Sequence, residues 1–166
     1  MNGLARHAGV AVAVALAPGL AGCGGSPPPA PENTAPAETP TTNALHPVAP
    51  CYVLSSTELE RFGLRSPGKP VNENGPQPGC SYVGEGKTVV LAKNETSDVE
   101  SFSRRQWDRF TLQRIGDREA ATAVEGTTCS TILGVGGGSL VIDVTADGGC
   151  ADGVLIAETI ASRMPD

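Results

Sequence analysis

Apolar and polar positions recur with two different periods along the chain, and each period predicts a different kind of element. In 140–145, Leu140, Ile142 and Val144 fall on one side while Val141 and Asp143 fall on the other, the period of two expected of a half-buried antiparallel strand. Shorter runs predict strands over 80–83, 88–92 and 128–133, with a weaker one near 120–124. Gly84-Glu85-Gly86-Lys87 and the glycine-rich stretch 134–139 have the composition of hairpin connections. Helical spacing appears elsewhere. Ser55-x-x-Glu58 and Ser97-x-x-Glu100 match the capping box, in which two otherwise unpaired amides are satisfied reciprocally. They predict a short helix over 56–62, stopped at Gly63, and a longer one over 97–110. At 100° per residue, Val99, Phe102, Gln106, Trp107 and Phe110 of the longer helix share one arc. A last helix over 152–164 gathers Ile156, Ala157, Ile160, Ala161 and Met164 on one side and leaves Leu155 off it. The predicted class is α+β: an antiparallel sheet of about five strands with three helices packed on it.

Upstream of residue 50 the pattern changes twice. Residues 1–22 hold one Arg, no acidic residue and an apolar run from Ala8 to Ala17, too short to span a bilayer as a helix and suited to a signal-peptide core. Pro18-Gly19 breaks the run and Leu20-Ala21-Gly22-Cys23 follows, which resembles the bacterial lipobox. Cleavage before Cys23 would make it the acylated N-terminus of a membrane-anchored chain. Each buried methylene contributes about 0.8 kcal/mol, so two or three acyl chains hold where one does not. Residues 24–49 contain seven of the 14 prolines and a Thr-rich stretch, and such a segment buries too little surface to offset its ordering entropy. With Cys23 it reads as a lipidated, Pro/Thr-rich tether over 23–49, able to extend at about 3.1 Å per residue. The organisation is thus a signal peptide over 1–22, the tether over 23–49, and one domain over 50–166.

Charge and cysteine content then narrow the function. Eighteen acidic against 12 basic residues give a net charge of −6, which argues against nucleic acid as a partner, since that affinity comes from basic side chains displacing counterions. Behind an export signal, Cys51, Cys80, Cys129 and Cys150 read as two disulfides. Three connectivities are possible. The favoured one pairs Cys51 with Cys80, tying the first helix to the first strand, and Cys129 with Cys150, pinning the last helix to a hairpin. A metal site is not expected, because no CxxC pair exists and residues 51–166 contain no His.

Pro50-Cys51, Leu54-Ser55-Ser56-Thr57-Glu58-Leu59 and Phe62-Gly63-Leu64, with Gly79-Cys80-Ser81-Tyr82, Ile115-Gly116-Asp117, Cys129 and Cys150-Ala151-Asp152, resemble the landmarks of a family of actinobacterial lipoproteins of unknown function. The resemblance spans residues 50–166. Tyr82 stands where Trp is common in that family, and the Gly-rich turn at 136–138 departs from it. What the resemblance implies is an extracytoplasmic, membrane-anchored domain; it brings no catalytic residue and no cofactor.

Nucleophilic triads and Cys-His dyads need a His or a free thiol, and the domain offers neither once both disulfides form. One surface patch stands out. Within the predicted helix over 97–110, Arg104 has Glu100 and Asp108 four residues to either side, whereas Arg105 and Arg109 stand together at i, i+4 with no acidic residue four positions to either side. They would form a basic edge for an anionic ligand. The expectation is a lipid-anchored, non-catalytic lipoprotein on the extracytoplasmic face of the cell membrane, whose domain binds an envelope lipid, glycan or small molecule in an apolar cleft between helix and sheet. The alternative is an adaptor docking on another envelope protein, which needs an exposed apolar patch.

Overall fold

A computed structural model describes residues 43–146 and 148–165. The signal segment, Cys23 and the tether up to residue 42 lie outside the described residues. The domain is one seven-stranded antiparallel sheet, which corrects the expected five strands: β1 (Lys69–Val71), β2 (Gly79–Val83), β3 (Thr88–Asn94), β4 (Arg109–Ile115), β5 (Arg118–Glu125), β6 (Thr128–Val135) and β7 (Gly138–Thr145). Their spatial order is β1-β2-β3-β7-β6-β5-β4. The chain leaves the middle of the sheet after β3, crosses to the far edge, and returns as a four-strand meander that ends with β7 paired to β3. The α-helices are short: α1 (Ser56–Arg61), α2 (Val99–Phe102) and α3 (Gly149–Ala161). The fold is therefore mostly sheet.

Both added strands have physical explanations. β1 contains Pro70, which cannot donate to a ladder and so belongs at an edge; its single neighbour is β2. β4 occupies what the helical count had assigned to the end of a long helix and to a connection. That helix stops after one turn. Asp98, not Ser97, caps it, accepting from Ser101 N at 2.8 Å, and its last carbonyls are taken by side chains: Ser103 Oγ donates to Glu100 O at 2.7 Å and Trp107 Nε1 to Phe102 O at 2.8 Å. Asp108 N then donates to Val124 O, and β4 begins. From there Phe110 and Leu112 alternate with Thr111 and Gln113 at the strand period.

The two faces of the sheet bury different cores. On one, α1, α3 and the 3-10 turn at Pro50–Tyr52 cover Cys80, Tyr82, Val89, Leu91, Leu133, Leu140, Ile142 and Val144. The expected α3 face is seen, with Ile156, Ala157, Ile160 and Ala161 buried and Leu155 exposed, although the helix starts three residues earlier than predicted. The Ser55–Glu58 capping box forms, with Ser55 N donating to Glu58 Oε2 at 2.8 Å. Leu45, placed by sequence in the tether, is fully buried in this core. Lys93 Nζ fixes the approach to it by donating to His46 O at 2.9 Å. The opposite face holds a smaller core of Val99, Phe102, Ala121, Ala123, Ile132 and Val141, with Trp107 and Phe110 half-buried against it. The expected turn over 134–139 is a tight β6–β7 hairpin in which Gly136 and Gly137 have φ of 49° and 81°. Positive φ at both central positions suits the right-handed twist of the strands and favours Gly.

Candidate functional site

Because α2 is only one turn long, it covers only part of its face of the sheet. The uncovered part is a cleft of about 310 Å³, at the small end of the range for ligand pockets, roughly 300 to 1,000 Å³. Its floor comes from the central strands: Ser130 on β6, Val141 and Asp143 on β7, and Ala92 on β3. Phe102, Arg105 and Trp107 form the wall that descends from α2, and Gln77, Glu125 and Thr128 complete the rim.

Asp143 is the chemically unusual member. It alternates with Ile142 and Val144 and so points to the face opposite the main core, directly across from Ser130 in the β6–β7 register. The Ser130 hydroxyl donates to Asp143 Oδ1 at 2.6 Å. Burial pushes the Asp143 carboxyl above the ordinary aspartate value, and the Ser130 hydrogen bond and the positive charge of Arg105 oppose that rise only in part. The Arg105 guanidinium carbon lies 4.4 Å from the centroid of the Phe102 ring, within the range of a cation–π contact. The Trp107 N–H is committed to the Phe102 carbonyl, which fixes the indole at the wall.

Arg105 and Arg109 do not share a helix as the sequence led us to expect. The helix that would have aligned them ends at Phe102, and the cross-section they were to share does not exist. Arg105 lies in the turn after α2 and lines the cleft, whereas Arg109 is the first residue of β4 and lines an adjoining hollow, with Cys129, Gly149 and Cys150, that meets the cleft at Thr128. The cysteines are bonded as Cys51–Cys80 and Cys129–Cys150, with Cα–Cα distances of 5.0 and 5.1 Å. Sequence reasoning put Asp143 on the correct face of its strand but did not single it out. The available signal was an acidic residue inside an otherwise apolar strand. No group of three or more His, Cys, Asp or Glu side chains able to hold a metal occurs among the described residues.

No curated protein and no solved structure matches the chain. The family model described as "Protein of unknown function (DUF3558)" matches residues 18–162, nearly the whole sequence. The chain therefore belongs to the DUF3558 family of proteins of unknown function.

Proposed function

We propose that this chain is a lipid-anchored lipoprotein of the extracytoplasmic face of the cell membrane, and that its domain is a non-catalytic binding module for an envelope lipid, glycan or small molecule. The observation that carries the binding reading is the cleft between α2 and the sheet, where a half-buried carboxylate, a guanidinium and two aromatic rings converge. A few convergent polar groups in a concave site lined with aromatics are what orient small ligands. The anchoring reading rests on Leu20-Ala21-Gly22-Cys23 behind an apolar run. The non-catalytic reading rests on a domain without His over residues 51–166 whose four cysteines are bonded in pairs. The test is native mass spectrometry of the full chain, expressed in a bacterial host and released from membranes with detergent. Acyl mass on Cys23 that disappears in Cys23→Ala, together with a reproducible non-covalent adduct, is the expected result; a soluble, unacylated chain with no adduct overturns the proposal.

A second reading, an adaptor, is favoured by one feature. β4 is an edge strand of seven residues whose Leu112 is 62% exposed, and an unpaired edge can template a strand from a partner. Cross-linking from position 111 that recovers one envelope protein reproducibly, and is lost when Leu112→Asp is added, would favour it.

A further inference from the structure

We infer that the cleft between α2 and the sheet recognises a neutral, hydroxyl-rich ligand, a sugar residue of an envelope glycan, with Asp143 and Arg105 as its polar contacts and Trp107 as its stacking wall. This deepens the proposed binding function and rests on it. The argument is one of chemical matching. An anion is a poor occupant, because Asp143 and Glu125 set two carboxylates against the single guanidinium of Arg105. A fatty acyl chain is a poor occupant too, because it would bury the half-exposed Asp143 and Gln77 without replacing their contacts with water, and an unsatisfied buried polar group is costly. A sugar hydroxyl both donates and accepts, so it can meet the carboxylate and the guanidinium in one cleft. Ser130 occupies Asp143 Oδ1, and a carboxylate has further lone pairs to offer. The volume of about 310 Å³ suits a ligand of one or two rings rather than a lipid. The Trp107 N–H is already bonded, so the indole offers its carbon framework, and the C–H faces of a pyranose or furanose ring interact favourably with an aromatic surface.

The chain contains a single Trp, so its fluorescence reports on this cleft alone. The full chain in detergent is titrated with methyl glycosides and tetrasaccharides of glucose, galactose, mannose, arabinose and N-acetylglucosamine, alongside glucuronic acid and palmitate. The expected result is a saturable shift in emission with at least one neutral sugar. Asp143→Asn and Arg105→Ala should each weaken it at least tenfold, with Arg109→Glu unchanged. Circular dichroism of each variant separates lost binding from lost folding. If a variant is unfolded, Ser130→Ala, which leaves Asp143 in place but frees its Oδ1, serves as the second reading and should shift the affinity. Saturation by glucuronic acid or palmitate in place of the neutral sugars, or a neutral-sugar response that Asp143→Asn leaves undiminished, overturns the sugar assignment. If a non-sugar adduct is then found by native mass spectrometry, the binding function stands without this inference; if no adduct is found either, both fall.

Discussion

Ser130 and Asp143 face each other across the β6–β7 ladder, and the serine hydroxyl donates to the carboxylate at 2.6 Å on the side of the sheet that α2 leaves partly open. A cross-strand pair of this kind is set by register, so every residue that fixes register also fixes the site. The β6–β7 hairpin with its Gly136–Gly137 turn does so from one end, and the Cys129–Cys150 disulfide does so from the other. The main core on the opposite face, with Ile142 and Val144 flanking Asp143 in sequence, holds the strand flat against α3. The cleft is thus built on strands in the middle of the sheet, with β7 paired on both sides, and polar groups preorganised in this way bind at lower entropic cost.

Asp143 should make stability depend on pH in a direction opposite to most carboxylates. Its folded-state pKa is raised by burial above the ordinary value of 3.8, so the folded chain binds the proton more tightly than the unfolded chain. Its contribution is therefore most favourable below pH 3.8 and declines as pH rises through the folded-state pKa. Glu58, Glu95 and Asp98 act in the opposite sense: hydrogen bonds from Ser55, Lys93 and Ser101 respectively are the largest influences lowering them, so their stabilisation is lost as pH falls. Urea unfolding of the wild type and Asp143→Asn between pH 3 and pH 7 isolates the first effect. The variant should gain stability relative to wild type as pH rises, and a difference that stays flat would refute a raised Asp143.

Much of the sheet was legible because its strands obey strict alternation: Leu140, Ile142 and Val144 are buried in one core while Val141 joins the other. The α3 face was legible for the same reason at the helical period. What was not legible is where α2 ends. Val99, Phe102, Trp107 and Phe110 fit helical spacing, yet all four also pack together when the chain turns sharply after Phe102 and returns as a strand. Periodicity cannot tell these apart when the run is short. The deciding interactions are Ser103 and Trp107 closing the helix carbonyls, and these are tertiary and local events with no period. The polar lining of the cleft was not legible for the same reason, since a long helix over 97–110 would have changed how that face is covered.

Gly153 should resist substitution although it lies inside a helix, where Ala is normally preferred by about 1 kcal/mol. A Cβ there would lie 2.6 Å from Thr131 Oγ1, beneath α3. Thr131 Oγ1 is itself buried with no hydrogen-bond partner. Gly153→Ala should therefore destabilise the domain by about 1 to 3 kcal/mol, the usual cost of overpacking. Thr131→Ala removes the clashing oxygen and an unsatisfied group together, so the double variant should recover most of the loss. A double-mutant cycle read by thermal unfolding measures the coupling, and strict additivity would show that α3 does not press on β6 at this point.

The two disulfides should carry a large part of the stability. Cys51–Cys80 and Cys129–Cys150 close intervals of 29 and 21 residues, for which loop entropy gives about 3 to 4 kcal/mol each. Cys129→Ser with Cys150→Ser frees the start of α3 from β6 and should lower the melting temperature by about 10 °C or more, given that about 1 kcal/mol shifts a domain of this size by roughly 3 to 6 °C. Calorimetry of the oxidised wild type against this variant measures it. Melting temperatures that coincide would mean the disulfide adds nothing that α3 packing does not already supply.

Charge reversal separates the two arginines that sequence alone had grouped. Arg105 faces the Phe102 ring at 4.4 Å and its positive charge lowers the Asp143 carboxyl, whereas Arg109 opens β4 beside the Cys129–Cys150 hollow. Arg105→Glu replaces an attraction to Asp143 by a repulsion and removes the cation–π contact, worth about 0.5 to 1 kcal/mol at an exposed site. The variant should raise the Asp143 pKa further and alter the emission of Trp107, which shares the wall with Phe102. Arg109→Glu should leave both unchanged, because nothing places Arg109 in that cleft. The Asp143 titration is followed by carboxyl-carbon NMR, with emission recorded on the same samples. If the two variants moved the Asp143 titration equally, the arginines would act as one patch after all, and the separation of cleft from hollow would be wrong.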